Sequence, residues 1–454
     1  MSGTPWGDAS DLRTRMLRPG PRLSPELVAQ NQRERLLAAT AVAIAERGYE
    51  QTPVAELLRL SGISRTTFYQ HFPGGKEECF LATVDAGMAL ALDAVSGACE
   101  GEEGWDERLE RVFAALGDTV ATHSAAARLC LMDAYSPGEQ GLAHVDEALS
   151  RFSWLLTQAL GQSPERAAVP PNVVNGIVGG VREVLAARVI AGEADKAPAV
   201  AADLLRWALA YRNPPTPLRR PRSRPPDDGA SRFIVHDQVE RIFGAVAATV
   251  VEKGYPAMTL EDIVKNASAS LTTFYRHFDG KEDAFLAAYD ATMAQAEAAA
   301  MPPFRWSRSW PLAVRAALEA FLAFFASEPV WARIAMVDAL SAGPRALEHR
   351  ARTLHLLDEI IQPGFEQAPD VPAIAGEAIG GAIYALIYEQ VRRRGAEHLA
   401  QILPAVTYVA LAPFIGAGEA VAVANKGALR SHGQGGRGTA ESSPKRPPRC
   451  RRDT

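Results

Sequence analysis

An internal duplication constrains this chain more than any other feature of its sequence. Four pairs of segments carry the duplication, and in chain order they are Arg47-Gly48-Tyr49 with Lys253-Gly254-Tyr255, Thr66-Thr67-Phe68-Tyr69 with Thr272-Thr273-Phe274-Tyr275, Asp133-Ala134 with Asp338-Ala339, and Gly179-Gly180 with Gly380-Gly381. The first two pairs lie 206 residues apart, and an additional glycine at Gly75 reduces the offset of the third to 205. Because the offset stays almost constant over so long a stretch, we conclude that one folding unit is encoded twice.

The duplication divides the chain into seven parts. A chain of 454 residues with 47% apolar composition is too long for one core and can bury several. The segment between the copies, from Asn213 to Arg232, is rich in proline and arginine and is predicted to be a linker. The predicted parts are a disordered basic arm (1–27), a first head (28–82), a first helical regulatory domain (83–212), a linker (213–235), a second head (236–287), a second regulatory domain (288–416) and a disordered basic tail (417–454).

The charge of the chain is segregated, so its formal net value of −5 decides little about partners. The basic residues cluster in the arm, the linker and the tail, as Arg13, Arg15, Arg18 and Arg22, then Arg219, Arg220, Arg222 and Arg224, then Lys445, Arg446, Arg449, Arg451 and Arg452. The cysteines, Cys79, Cys99, Cys130 and Cys450, lack the spacing of metal ligands and are expected to be reduced thiols. The chain shows no signal segment, and Pro413 and Glu419 make 408–424 a poor membrane span, so we expect a cytoplasmic protein without a membrane partner.

The first head has the start and stop signals of three short helices. An apolar stripe at helical spacing is followed by a glycine stop at Gly48. Thr52 before Pro53 is predicted to cap the second helix, and Ser61-Gly62-Ile63 makes the tight turn before a third helix that Ser64 caps and that extends to about Phe72. The stripe consists of Leu36, Leu37, Thr40, Ala41 and Ile44.

The second head repeats this pattern with different residues. Thr259 and Asp262 have the spacing of a capping box for its second helix, and Ser270 is predicted to cap its third. Its apolar stripe consists of Ile242, Phe243, Val246, Ala247 and Val250. The same three-helix arrangement is therefore expected twice.

The third helix of each head carries the candidate chemistry. Phe68 and Phe72 share one face and anchor the helix, whereas Arg65, Tyr69 and their polar neighbours project elsewhere. Hydroxyl groups and hydrogen-bond donors near a helix start suit insertion into a major groove, and Lys76 at the next helix start suits a phosphate. The alternative is an ordinary helical core, in which the tyrosines cover the core edge and the histidines bond to backbone.

These residues resemble the TetR family of transcriptional regulators. The resemblance is carried in the first copy by Gly48-Tyr49, Thr52, Leu57, Ser61-Gly62-Ile63-Ser64, Thr67-Phe68-Tyr69, His71-Phe72 and Lys76-Glu77, and by the equivalent residues of the second copy. It implies an all-α fold in which each three-helix head is followed by a helical-bundle regulatory domain. It also implies dimerisation through the last two long helices, and repression that a small ligand relieves.

The resemblance implies a set of DNA contacts, and no cofactor is expected. The contacts expected on double-stranded operator DNA are Arg65, Thr66, Thr67, Tyr69, Gln70, His71 and Lys76 in the first copy, and Leu271, Thr272, Thr273, Tyr275, Arg276, His277 and Lys281 in the second. The chain departs from the family pattern at Gly75, which is an insertion, and at Ser268, which replaces the turn glycine. Leu271 replaces Arg65, Arg276 replaces Gln70, and two heads in one chain are themselves unusual for the family.

The tandem arrangement leaves two assemblies open. In an intramolecular pseudo-dimer, helices near 172–191 and 373–394 pack together through their paired glycines, and two unlike heads contact one operator with unequal half-sites. In an ordinary homodimer, each copy packs against the same copy of a second chain. The glycines are equally consistent with tight packing inside one domain.

The regulatory segments, 103–192 and 306–413, are predicted to be amphipathic helices that hold a small apolar ligand. The candidate lining residues are Met132, Tyr135, Phe152 and Trp154 in the first, and Phe321, Phe324, Trp331, Met336, Tyr384 and Tyr388 in the second, although such residues also form ordinary cores. The repeated Arg-x-x-x-x-Asp-Ala-x-Ser segment at Arg128 and Arg333 indicates either coupling of pocket to head or a structural ion pair.

Rival classes have less support in the sequence. It contains no phosphate-binding glycine loop, metal-ligand cluster or nucleophile elbow, so an enzyme is not expected. A protein-interaction scaffold with degenerate heads and a regulator with one functional head both remain open.

Overall fold

The computed structural model describes residues 4–7, 12–17, 23–100, 104–219, 221, 238–307, 309–354 and 356–426. All the regular elements in these ranges are helices, which confirms the predicted all-α fold. Arg18, Arg22, Arg220, Arg222, Arg224, the basic tail from 427 onwards and Cys450 lie outside the described residues.

The first head consists of α1 (Pro25–Arg47), α2 (Val54–Ser61) and α3 (Arg65–His71), followed by the long α4 (Lys76–Cys99). The predicted cap at Ser64 is confirmed, because its hydroxyl accepts a hydrogen bond from the Thr67 backbone N–H at 3.1 Å. The predicted cap at Thr52 is wrong. Its buried hydroxyl donates instead to the Gly48 carbonyl at 2.8 Å, where α1 ends, and Pro53 occupies the cap position of α2.

The second head consists of α10 (Gln238–Lys253), α11 (Leu260–Asn266) and α12 (Leu271–Phe274), followed by α13 (Lys281–Trp306). The predicted capping box is present, since the Thr259 hydroxyl accepts from the Asp262 N–H and the Asp262 carboxylate accepts from the Thr259 N–H. Ser270 caps α12 as predicted. The recognition helix spans only four residues here, against seven in the first head.

Each head is followed by a helical regulatory domain. The first contains α5 (Trp105–Thr122), α6 (Ser124–Leu131), α7 (Glu139–Leu160), α8 (Pro171–Ile190) and α9 (Ala197–Leu209). The second contains α14 (Trp310–Ser327), α15 (Pro329–Arg333), α16 (Ala339–Ser341), α17 (Pro344–Leu354), α18 (Leu356–Gln367), α19 (Ala375–Arg394) and α20 (Leu403–Ala424), with a π-helical turn at Ile334–Asp338. The copies therefore differ mainly before α7 and α17, where the first has a short 3-10 turn at Asp133–Tyr135 and the second has the π-helical turn.

The two copies meet along α8 and α19. A Cβ atom added at Gly179 would lie 2.2 Å from the Ala385 Cβ, and one added at Gly180 would lie 2.4 Å from the Ala378 carbonyl oxygen. Both distances are far below van der Waals contact, so only glycine permits this approach of the helices. A Cβ atom added at Gly381 would lie equally close to the Glu183 Cβ, at 2.3 Å. The glycines thus permit the close approach of the two copies that the pseudo-dimer hypothesis requires, and Gly180 also packs against Trp207 of its own copy.

The segments predicted to be disordered are partly ordered. Leu12 is fully buried against Ala38 and Ala39 of α1, and the Asn31 amide donates to the Arg15 carbonyl, so the described part of the arm lies on the first head. At the other end, α20 continues to Ala424 beyond a kink at Gly416, because its apolar residues after the kink still bury side chains. The start of the linker is held by Asn425, whose side chain bonds to Arg219 and Pro217.

Three helices in the described ranges are long and apolar enough to cross a membrane by length and composition alone, namely Lys76–Cys99, Trp310–Ser327 and Ala396–Ala424. The last includes the stretch that the sequence analysis considers a poor span. In the structure 67% of its apolar window is buried inside the protein.

Candidate DNA-binding surface

The first recognition helix, α3, is held to the head by two aromatic anchors. Phe68 and Phe72 are 0% and 1% exposed and pack with Leu57 and Ile63. Anchoring one face of a short helix leaves the opposite face with a fixed orientation in solvent. That face carries the side chains predicted to contact DNA.

The exposed face of α3 presents Arg65, Thr66, Tyr69 and Gln70 together. The Arg65 guanidinium lies 5.8 Å from the centre of the Tyr69 ring, as a cation–π pair one helical turn apart. Thr67 is half-buried, and its hydroxyl contacts the capping Ser64 hydroxyl at 2.9 Å. The helix therefore offers a cation, an aromatic hydroxyl and an amide to a ligand surface.

The second recognition helix, α12, presents a different set. Leu271 is 52% exposed and Tyr275 is 57% exposed. Thr272 is exposed on the helix, and Arg276 and His277 are exposed in the turn that follows it. Thr273 repeats the hydroxyl contact to its cap, at 2.9 Å from Ser270. The two heads thus share the same backbone arrangement and differ in the side chains at their exposed positions.

The turn before each recognition helix adopts a left-handed conformation. Gly62 has φ +66° in the first head, and Ser268 has φ +50° in the second. Ser268 is the only non-glycine residue with positive φ in the described ranges. A left-handed conformation costs a side-chain-bearing residue about 1 kcal/mol or more, so the second turn is strained where the first is not.

The two predicted histidines have different surroundings. His71 is half-buried, and its Nε2 lies 3.1 Å from the Gln32 side-chain oxygen on α1. Burial lowers the pKa of His71, and nearby Arg33 lowers it further, so the neutral ring is favoured. His277 is exposed. The first histidine thus joins two helices of its head, whereas the second is presented to solvent.

The two predicted lysines turn towards their own heads. The Lys76 ammonium donates to the Tyr49 carbonyl at 3.0 Å and lies 4.1 Å from the centre of that ring. Lys281 donates to the Met258 carbonyl at 2.9 Å, at a different position of the corresponding loop. Burial lowers the pKa of Lys76. Each lysine fixes the long helix against the loop between the first two helices, and this contact uses part of its donor capacity.

The backbone in front of each long helix is also engaged. The Gly74 N–H donates to the Glu78 carboxylate at 2.7 Å, and the Asp279 N–H donates to the Asp283 carboxylate at 3.1 Å. These internal anions occupy donors that the sequence analysis left free for phosphate. In this conformation, the exposed residues of α3 and α12 are the more accessible part of the surface.

Each regulatory domain contains an apolar cavity. The first, of about 150 Å³, is lined by Phe152 but not by Met132, Tyr135 or Trp154, and Trp154 is 61% exposed. The second, of about 80 Å³, is lined by Phe321, Met336 and Tyr384, whereas Phe324, Trp331 and Tyr388 pack elsewhere. Six of the ten candidate lining residues are therefore wrong, since helical periodicity marks a buried face but not what that face encloses.

The repeated Arg-x-x-x-x-Asp-Ala-x-Ser segment forms an ion pair in each copy. Arg128 lies 3.9 Å from Asp133, and Arg333 lies 3.3 Å from Asp338. Both carboxylates are buried, which raises the pKa of Asp133 to about 7 and that of Asp338 to about 6, although the arginines oppose the effect. The structural reading of this motif therefore has direct geometric support.

The charged groups that join the two copies could not be recognised from the sequence pattern. Glu183 of α8 is bound by Arg350 of α17, with both carboxylate oxygens 2.8 Å from Nη2, and both side chains are buried. Arg392 of α19 binds Glu139 and Asp146 of α7. A charged residue within the apolar stripe of α8 was the available signal, but its partner lies 167 residues away.

The comparisons with known proteins agree with this geometry. The family model described as bacterial regulatory proteins of the tetR family matches residues 36–83 and 243–288, which are the two heads. Both heads are DNA-binding domains of the TetR family. The chain carries the DNA-binding domain of that family twice, as the duplication in the sequence predicts.

Known relatives each match only a part of this chain. An uncharacterised helix-turn-helix-type transcriptional regulator of Mycobacterium tuberculosis is 38% identical over 74 residues, which is 16% of this chain and 38% of the relative. A TetR-like regulator from Rhodococcus sp. RHA1 is 21% identical, with a TM-score of 0.35, over 42% of this chain and 99% of its own. The fatty acid degradation regulator FadR from Bacillus halodurans is 17% identical, with a TM-score of 0.36, over 42% and 97%.

Proposed function

We propose that this protein is a sequence-specific DNA-binding transcriptional regulator, a repressor that a small apolar ligand releases from its operator. The observation that carries the proposal is the pair of recognition helices. Each is capped by a serine and anchored by two phenylalanines, and each leaves a tyrosine exposed beside polar or cationic neighbours. Such a helix end fits a major groove, where base edges are distinguishable.

The exposed side chains favour different bases at the two heads. In the first, Arg65 suits guanine and Gln70 suits adenine, each through two hydrogen bonds. In the second, Leu271 suits the methyl group of thymine, and Arg276 suits guanine. The threonines, His71, His277, Lys76 and Lys281 complete the proposed contact set, with Tyr69 and Tyr275 at its centre. The operator then has two unequal half-sites.

The contacts between the copies favour the intramolecular pseudo-dimer over a homodimer of like units. When the copies are aligned on their paired glycines, Glu183 of the first copy corresponds to Tyr384 of the second. When they are aligned on the preceding helices, Arg350 of the second copy corresponds to Val145 of the first. In a like-with-like dimer, Glu183 would therefore face Val145. A buried carboxylate without its partner costs about 3–5 kcal/mol, so the pairing of unlike copies is strongly preferred.

A second polar cluster discriminates in the same direction. Arg392 binds Asp146 at 2.6 Å and Glu139 at 2.8 Å, and the Tyr388 hydroxyl donates to Asp146 at 2.9 Å. The equivalent positions on the other side of the pseudo-twofold are Ala191, Ala187, Ala351 and Pro344. Like-with-like pairing would oppose these polar groups to alanine and proline.

DNA titrations test the proposal. The full-length chain is expected to bind duplex DNA with an affinity that falls steeply with salt, because phosphate contacts release counterions. Tyr69→Ala and Tyr275→Ala are each expected to weaken binding to the selected operator by about tenfold or more. Trp154→Ala is the matched control, because this exposed aromatic lies outside both heads.

The outcomes separate the rival readings. Salt-insensitive binding, or no loss in the double tyrosine variant, contradicts a DNA-binding regulator and favours an interaction scaffold. A loss with Tyr69→Ala alone assigns binding to the first head, which the short α12 and the strained Ser268 would then explain. One chain per minimal operator is expected by mass measurement, and two chains would contradict the pseudo-dimer.

A further inference from the structure

The cavity of the second regulatory domain contains one charged side chain that is almost completely buried. Its walls are mainly apolar, with Met293, Phe321 and Leu357 among them, and Arg350 lines it while being only 2% exposed. At about 10–15 Å³ per water-sized group, its volume of about 80 Å³ accommodates about five to eight non-hydrogen atoms.

Arg350 is only partly satisfied. Its Nη2 binds both oxygens of Glu183 at 2.8 Å, and the guanidinium lies 4.6 Å from the centre of the Tyr384 ring. Its Nε and Nη1 are buried and have no hydrogen-bond partner within the described ranges. A buried donor without an acceptor costs about 1–3 kcal/mol, so these N–H groups favour an acceptor from outside the chain.

The charges at the site select the kind of acceptor. Glu183 already neutralises the arginine, and Glu297 also lines the cavity, so an added carboxylate would be repelled. The Tyr384 hydroxyl donates to the Met336 carbonyl at 2.8 Å, which leaves Arg350 as the available strong donor. An uncharged oxygen such as a ketone, ester or lactone carbonyl fits these conditions, because it accepts a hydrogen bond without adding charge.

We propose that the second cavity binds a compact, uncharged, apolar molecule whose carbonyl oxygen accepts a hydrogen bond from Arg350. The inference rests on the proposed function, because it names the ligand class of a ligand-released regulator. In this proposal Arg350 has two roles, because it contacts the ligand in the second copy and also binds Glu183 of the first copy. Ligand binding in one copy therefore acts directly on the contact between copies, and its effect on DNA depends on its preference between two arrangements of that contact.

Calorimetric titration of the full-length protein without DNA tests this proposal, with cyclohexanone as the probe. Methylcyclohexane is the matched hydrocarbon and cyclopentanecarboxylate the matched anion. The ketone is expected to bind about tenfold or more tightly than either, since one satisfied buried donor is worth about one such factor. Arg350→Lys keeps a cation for Glu183 but lacks the guanidinium donors, and is expected to remove this preference.

A second pair of variants keeps the test independent of the ion pair. Ala300→Leu fills the second cavity and is expected to abolish binding, whereas Ala126→Leu fills the first cavity and is expected to leave binding unchanged. Equal affinity for ketone and hydrocarbon, tighter binding of the anion, or unchanged binding in Ala300→Leu would overturn the inference. Salt-sensitive DNA binding without ketone binding defeats this inference alone, and ketone binding without DNA binding defeats only the proposed function.

Discussion

The buried ion pair between the copies allows a quantitative prediction. Glu183 and Arg350 are 4% and 2% exposed, and the two carboxylate oxygens lie 2.8 Å from one guanidinium nitrogen. Replacing Glu183 by Gln removes the negative charge and leaves the buried guanidinium uncompensated. Breaking such a pair costs about 3–5 kcal/mol, so we expect the free energy of unfolding to fall by that amount.

Removing both charges together is expected to be much milder. Glu183→Leu combined with Arg350→Met replaces the pair by apolar side chains of similar size, and such replacements are often neutral or stabilising. The double variant should therefore be more stable than either single variant. This non-additivity is the signature of a direct interaction.

Urea unfolding of the full-length chain measures these differences. The control is the pair of Glu147 and Arg151 on α7, whose side chains are 67% and 61% exposed. Because solvent screens this pair, Glu147→Gln is expected to change stability by less than about 1 kcal/mol. If Glu183→Gln behaves like this control, or if the double variant loses the sum of the single losses, the pair does not stabilise the contact between copies.

Three further predictions concern single positions. Ser268→Gly should stabilise the second head by about 0.5–1 kcal/mol in thermal unfolding, because glycine adopts the left-handed turn without strain. Gly62→Ser should destabilise the first head for the same reason. Effects of the same sign in both variants would contradict this prediction. Burial raises the pKa of Asp133 from 3.8 to about 7, so the folded chain holds a proton that the unfolded chain releases, and stability should fall as pH rises from about 4 to 7. Asp133→Asn should lose the contribution of Asp133, roughly 4 kcal/mol in the free energy of unfolding at 1.4 kcal/mol per pH unit, and should keep the smaller contribution of Asp338. An unchanged pH profile of this variant in urea unfolding would refute the prediction. Leu271→Arg should shift the preferred base of the second half-site from thymine to guanine in a selected pool, with the first half-site unchanged.

Features that depend on neighbouring residues could be predicted from the sequence. The capping box at Thr259 and the caps at Ser64 and Ser270 need only the following three residues, and all three are present. The pairing of Gly179 with α19 was predictable because the duplication placed a matching glycine pair in the other copy. Local signals and repeats therefore determine most of the fold.

Features that depend on distant residues could not be predicted. Thr52 has the local pattern of a cap, but its hydroxyl bonds to the carbonyl of Gly48, and Lys76 bonds to a carbonyl 27 residues away. Phe152 and Trp154 are two positions apart on α7, yet one lines a cavity and the other faces solvent, which only the packing of α7 decides. Side-chain partners across the fold were therefore the main omission.

Selection of bound duplexes from a random DNA pool by the full-length protein tests the central claim most directly. The account predicts two different half-sites at a fixed spacing, one with guanine and adenine contacts for α3 and one with thymine and guanine contacts for α12. A palindrome with identical half-sites would show that like heads pair. Enrichment of no sequence at all would contradict a regulator that reads DNA with two unlike helices.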